Sequence, residues 1–185
     1  GGGGADVCRV IWSTAAALPA VMVNTLEVEP LEWNWNEKTG LALAITGFLV
    51  EMISDSQKAT WHRRHADRPD RYARAPPVCA TGMWYLSRHP NHFGDLCLQW
   101  GVWMMVTDVT PLVSILGPLV CTLIVFVSDG GMRLIETERE LQYFTYDAYR
   151  DYKERTSLFW PLLPAIYTRM PRVMKRLFLF SEIYD

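Results

Sequence analysis

The chain lacks the usual nucleotide and hydrolase signatures. No GxGxxG run, GxxxxGK[ST] loop or GxSxG elbow occurs, so a Rossmann domain, a P-loop ATPase and a serine hydrolase each lack their phosphate cradle or nucleophile turn. Charge is scarce: 21% of residues are charged and the formal net charge is −2, which gives no global basic field for nucleic acid. Four cysteines (Cys8, Cys79, Cys97, Cys121) stand 71, 18 and 24 positions apart with no CxxC pair, which signals neither a zinc site nor a redox dithiol. Cys97 and Cys121 sit inside apolar runs and read as small core hydrophobes. The start, Gly1-Gly2-Gly3-Gly4, has no basic region before an apolar stretch and is not a secretory signal; it reads as a processed, tagged or incomplete beginning.

What is abundant is apolar and aromatic surface. Half of the 185 residues are hydrophobic, eight are Trp, and mean hydropathy is +0.02. These residues are clustered. A membrane helix needs about 20 mostly apolar residues, and four stretches approach that: Val10–Leu26, Thr39–Ile53, Phe93–Val106 and Val109–Ser128, the last without a single charge. The connections alternate in sign. Glu27, Glu29, Glu32 and Glu37 follow the first stretch, whereas Lys58, Arg63, Arg64, Arg68, Arg71, Arg74 and Arg88 dominate the second connection. Asp108 follows the third, and nine basic residues follow the fourth. That alternation predicts four spans with both termini on the inner, basic side. The expected fold is therefore an all-α integral membrane protein of about four transmembrane helices with cytosolic or interfacial C-terminal helices.

Polar groups gather at the inner ends of these spans. Glu51 and Asp55 are spaced i, i+4 on one helix face, and the next span opens with Arg88-His89-Pro90-Asn91-His92-Phe93-Gly94-Asp95. Carboxylates turned to lipid would be costly, so both clusters should point into the bundle. A structural Asp–Arg clamp accounts for such a pair; so does a polar pocket in which Arg meets phosphate and Asp, Glu and Asn meet ribose hydroxyls and amides. His62/His65 and His89/His92 are i, i+3 pairs, but four histidines cannot fill a di-iron site, and no metal is expected. In the tail, Tyr146, Tyr149 and Tyr152 step by three along one helix side, a pattern that suggests anchoring at the headgroup level. The stretch Ala165–Phe180 mixes Arg169, Arg172, Lys175 and Arg176 with bulky apolar residues and reads as a basic interfacial segment.

The run Gly82-Met-Trp84-Tyr-Leu-Ser87-Arg88-His89-Pro90-Asn91-His92-Phe93-Gly94-Asp95 resembles the signature of the steroid 5α-reductase-like membrane proteins, especially their DUF1295 branch, which reads G-x-W-x-x-S/T-R-H-P-N-Y-F-G-E. Upstream, Gly47, Glu51, Asp55 and Gln57 resemble the branch's G-x-x-x-E-x-x-x-D-x-Q helix; downstream, Tyr149 to Pro161 resembles its closing Y-x-x-Y-x-x-R-T-S-x-F-x-P. The likeness runs from Thr46 to Pro164. It divides the chain into an N-terminal segment with one short span and an acidic loop (1–38), a reductase-like membrane domain (39–164) and a basic tail (165–185).

The resemblance implies a C-terminal half that binds NADPH from the cytosolic side and hydride transfer to a polarised carbon–carbon double bond of a lipid or steroid-like enone. By position it implies that Asn91 and Asp95 hold the nicotinamide or its ribose, with Glu51 and Asp55 as polar partners. Arg88 and Arg155 would serve phosphate or structural pairing, and Tyr152 would pack on the cofactor. His92 stands where the family has Tyr, and Asp95 where it has Glu, keeping the charge on a side chain one methylene shorter. The groups that polarise the substrate in steroid reductases lie on N-terminal helices, and Val10–Leu26 holds no Tyr, Glu or His, so the catalytic residues stay unassigned. Two readings follow: an NADPH-dependent membrane reductase, or a shortened, catalytically silent relative serving as a structural subunit of a larger membrane complex. The related isoprenylcysteine methyltransferases share the topology but match the R-H-P-N and R-T-S runs less well. Expected partners are membrane lipids, a lipid substrate and other membrane subunits, without nucleic acid. The family's usual home is the endoplasmic reticulum, with the mitochondrial inner membrane as the alternative.

Overall fold

The computed structural model describes residues 3–25, 33–65, 77–108, 111–127 and 131–178. Glu27, Glu29, Glu32, Arg68, Arg71, Arg74 and the last tail residues, which entered the charge alternation and the interfacial tail, lie outside the described residues. The described chain is helical throughout, in the order α1 (Gly3–Thr25), α2 (Trp35–His65), α3 (Met83–Leu86), α4 (Pro90–Val106), α5 (Pro111–Ser114), α6 (Leu116–Val127), α7 (Met132–Tyr143), α8 (Asp147–Arg155), α9 (Pro164–Tyr167) and α10 (Arg172–Phe178). Among the described residues the sole sheet-like pairing is an isolated parallel bridge between Ser87 and Ser157.

Two helices are long and apolar enough to cross a membrane, Trp35–His65 and Leu116–Tyr143, and a shorter apolar stretch covers Val10–Met22. At 1.5 Å per residue, α2 is about 46 Å long, well beyond the roughly 30 Å of a bilayer core. The chain is thus an all-α membrane protein. The first turn of α2 is fixed by a reciprocal capping box: the Glu37 amide donates to Asn34 Oδ1 at 3.0 Å, and the Asn34 amide donates to Glu37 Oε2 at 2.9 Å. His62, Arg63, Arg64 and His65 fill its last turn, where cations complement the helix dipole. Ile45, Phe48, Leu49, Met52 and Ile53 recur at helical spacing and stand exposed, as do Leu116, Leu119, Leu123 and Val127 of α6. Large apolar faces left open in this way suit acyl chains rather than water.

The chain folds as two compact units, residues 1–49 with 94–134, and residues 50–93 with 135–185. In the first unit, helices meet through small residues. A Cβ on Gly101 would stand 2.5 Å from the Ala44 nitrogen and 2.6 Å from the Gly40 carbonyl oxygen; one on Gly47 would stand 2.5 Å from the Gly94 carbonyl oxygen. Gly40 facing Gly101 and Gly47 facing Gly94 put α2 and α4 antiparallel and backbone to backbone, with glycine at both ends of a seven-residue step. Without a hydrophobic force between helices in lipid, close van der Waals contact of this kind is what joins them. Helix α1 packs on α6 by the same means. Pro19, inside α1, has no amide to offer the Ala15 carbonyl, and Gly117 sits against that oxygen, 2.6 Å from where its Cβ would be. Trp100 Nε1 of α4 donates to Thr122 Oγ1 of α6 at 3.1 Å.

The second unit is organised around Trp84, 2% exposed. Its Nε1 donates to the Ser54 carbonyl at 2.8 Å, Lys58 Nζ lies 5.1 Å from its ring centroid, and its own carbonyl accepts the Tyr152 hydroxyl at 2.7 Å. Gly82 turns the chain into α3 with φ 65, and a Cβ there would meet the Gln57 carboxamide at 2.5 Å. That carboxamide accepts the Met83 amide at 2.8 Å, so the approach admits only glycine. The tyrosine stripe corrects one expectation. Tyr149 and Tyr152 are buried with Val78 rather than presented to headgroups, because α8 packs its tyrosine side inward and Tyr152 finds its partner in the Trp84 carbonyl.

Candidate functional site

The segment Leu86 to Arg88 is laced to the closing motif by backbone and hydroxyl bonds. The Arg88 amide donates to the Ser157 carbonyl at 2.8 Å, the Ser87 hydroxyl donates to the Phe159 carbonyl at 2.8 Å, and the Leu162 amide donates to the Leu86 carbonyl at 3.0 Å. Ser87 also accepts the His89 amide at 3.1 Å. The two runs that stand out in the sequence, some 70 residues apart, are therefore one structural element.

Arg88 and His89 both turn inward to a single carboxylate. Glu136, 6% exposed on α7, accepts Arg88 Nη1 on one oxygen; on the other it accepts His89 Nε2 at 2.8 Å and Arg139 Nη1 at 3.2 Å. Burial, the largest influence on His89, brings its imidazole down to about 4, against the hydrogen bond and charge of Glu136, which raise it. His89 is thus neutral at physiological pH and donates to a charged carboxylate that two guanidinium groups also hold. The hydroxyls of Tyr149 and Tyr152 are pushed up by burial and stay protonated.

Beside this network lies a cavity of about 720 Å³ whose walls carry Arg88, Arg150, Lys153, Arg155, Arg172 and Lys175, against two acids, Glu140 and Glu154. Lys153 donates to Glu140 at 3.0 Å, and Arg155 pairs with Asp151 at 3.0 Å within α8. Arg150 likewise pairs with Asp147 and Arg88 with Glu136, so the lining carries six cations against two acids while four of those cations each hold a carboxylate. Such a concavity suits phosphate, since guanidinium forks match its oxygens and each charge-assisted bond is about twice as strong as a neutral one.

Of the residues singled out in the sequence, Arg88 and Arg155 both line this cavity. Asn91 lies on the first turn of α4; its side-chain oxygen is buried and has no hydrogen-bond partner among the described residues. Tyr152 is held in the core by Trp84. Glu51 is half-buried and Asp55 exposed on α2, both in the second unit. Asp95 belongs to the first unit, one turn beyond Asn91 on α4, with Gln99 Nε2 at 3.5 Å. The sequence reading missed Glu136 as a site residue. Its one signal was the charge-dense run Glu136-Thr137-Glu138-Arg139-Glu140, which does not say which of three carboxylates turns inward. It also missed Arg150, Lys153, Arg172 and Lys175 as members of one cavity, because helix turns far apart in the chain supply them.

No curated protein and no solved structure matches this chain. A family described as "Protein of unknown function (DUF1295)" matches residues 7–156. The match begins ahead of Thr46, where the motif likeness starts, so α1 belongs to the family domain. It ends before α9 and α10. With most of its length inside that match, the chain belongs to the DUF1295 family.

Proposed function

We propose that the protein is an NADPH-dependent membrane reductase acting on the carbon–carbon double bond of a lipid or steroid-like enone. The observation that carries this reading is the buried, unpartnered side-chain oxygen of Asn91, on the same motif as Arg88, which lines the cationic cavity. A buried acceptor without a partner costs roughly 1–3 kcal/mol. A chain that retains one suits a ligand bringing a donor, and a carboxamide or a ribose hydroxyl is such a donor. The residues of the second unit fit a dinucleotide: Asn91 for its amide or ribose end, Arg88 and Arg155 for its phosphates, Glu51 and Asp55 as further acceptors. When bound, that cofactor supplies a hydride. The chain's own work is to bind, to orient through Asn91, and to hold Arg88 in place through Glu136, so that the guanidinium need not be ordered at the moment of binding.

NADPH binding to the purified protein in detergent tests this. The wild type should bind, and Asn91→Ala and Arg155→Ala should each weaken binding at least about tenfold, or 1.4 kcal/mol. An absence of binding by the wild type, with recovery of the chain in a stoichiometric complex, would replace this reading with that of a silent structural subunit.

A further inference from the structure

The cationic cavity is larger than the motif residues that reach it. Arg88 comes from the R-H-P-N run, and Arg150, Lys153 and Arg155 come from α8. The last two cations, Arg172 and Lys175, come from α10, beyond residues 7–156 and so outside the family domain. Lys175 is positioned by the buried ring of Tyr167, its Nζ 4.4 Å from the centroid, and Tyr167 itself lines the cavity. On the same C-terminal stretch, Trp160, Leu163, Ile166, Val173 and Met174 are exposed. Cations lining a hollow, on a stretch that also carries exposed apolar side chains, form an amphipathic arrangement suited to a phosphate group.

We infer that this cavity is a phosphate-binding site completed by Arg172 and Lys175 of α10, so that the C-terminal segment is a working wall of the site. The phosphate is carried on an anionic phospholipid headgroup or on a soluble phosphate ester; both present the same oxygens to the same guanidinium and ammonium groups. This deepens the reductase reading, which already gives Arg88 and Arg155 of this cavity to cofactor phosphates, and it is separable from that reading because the site holds phosphate whether or not a hydride is transferred.

The test uses the full chain in zwitterionic detergent and two probes. Pyrophosphate stands for the soluble source and short-chain phosphatidic acid for the lipid source, with the corresponding diacylglycerol as the phosphate-free control for the latter. At least one phosphate probe should bind, more weakly as salt is raised. The R172A/K175A pair should lose at least about tenfold in affinity, and R172K/K175R, which keeps both charges, should restore most of it. Binding of phosphatidic acid and not of pyrophosphate assigns the lipid source; the reverse assigns the soluble one. Either supports the proposal. Arg172 is exposed and Lys175 only partly buried on a seven-residue helix, so the alanine pair should keep the wild-type unfolding temperature. The proposal is overturned if neither probe binds better than diacylglycerol or chloride, or if R172A/K175A binds like the wild type.

Discussion

His89 Nε2 lies 2.8 Å from Glu136 Oε1, and the imidazole that makes this bond is 1% exposed. The Arg-His step of the R-H-P-N motif is therefore spent inside the protein. Arg88 and His89 turn from the same backbone bend toward one α7 carboxylate, while the Arg88 amide and the Ser87 hydroxyl bind the closing motif on the other side. A motif with the look of a ligand signature is first of all the joint of the second unit, and it brings Arg88 to the cavity as a consequence.

Removing the carboxylate should unfold this joint. Glu136→Ala leaves the Arg88 charge buried without its counter-ion, and breaking a buried pair from one side typically costs about 3 kcal/mol or more. Glu136→Gln keeps one acceptor oxygen and should cost less. Denaturant unfolding in detergent, followed by Trp fluorescence, checks the order wild type, Gln, Ala. Equal stability of all three would show that the network does not hold the unit.

Acidification should act on the same joint. The folded-state value of His89, about 4, lies below the value of about 6.5 for a free imidazole. Between the two, the unfolded chain binds the extra proton, so this contribution is present above about pH 6.5 and is lost as pH falls toward about 4. The groups facing the ring are Glu136, Arg88, Arg139 and His92, the last stacked at 5.6 Å. Two of them are cations, and they oppose a second positive charge. The apparent unfolding temperature of the wild type should fall between pH 7 and about 5, and that of His89→Gln should fall less. An imidazole that stays neutral by NMR down to about pH 4 is the direct signature.

Much of this was legible in the sequence because charge-free apolar runs admit few structures. Val109–Ser128 carries no charge, and its described part, residues 111–127, forms α5 and α6. The opening of the third span at the R-H-P-N run was legible too, and Pro90 stands at the first position of α4, where its missing amide costs nothing. What could not be read was the choice of partner across long separations. The Arg clamp expected of an Asp is made by Glu136 instead, 48 positions from Arg88. The Tyr149 and Tyr152 stripe has the same period whether it faces headgroups or a Trp84 carbonyl, so periodicity alone could not choose. Likewise nothing in the sequence tells that Gly40 and Gly47 face Gly101 and Gly94 across two backbones.

Those glycines give a prediction for the first unit. A side chain on Gly101 must displace the α2 backbone at Gly40 and Ala44, and one on Gly47 must displace α4 at Gly94. Neither neighbour is the yielding tip of a flexible side chain. Gly101→Val and Gly47→Leu should each destabilise the protein by about 2 kcal/mol or more. The exposed neighbour Phe48 should tolerate Leu with little change in detergent. Unfolding curves of the three variants decide it. If Gly101→Val matches the wild type, the helices do not meet backbone to backbone.

Asn91 separates ligand binding from stability. Its side-chain oxygen forms no hydrogen bond among the described residues and is shielded from solvent, so the folded protein already bears that cost. Replacing it by Leu removes the buried polar group, and the unfolding temperature should stay the same or rise, provided the larger apolar side chain fits. If the oxygen waits for a donor on a dinucleotide, the same variant should bind NADPH at least about tenfold more weakly. A structural role would give the opposite pair of results: lower stability, with any surviving binding unchanged. Thermal unfolding and NADPH titration of one preparation of Asn91→Leu distinguish the two, because stability held constant while affinity falls is an outcome that only a ligand-facing Asn91 produces.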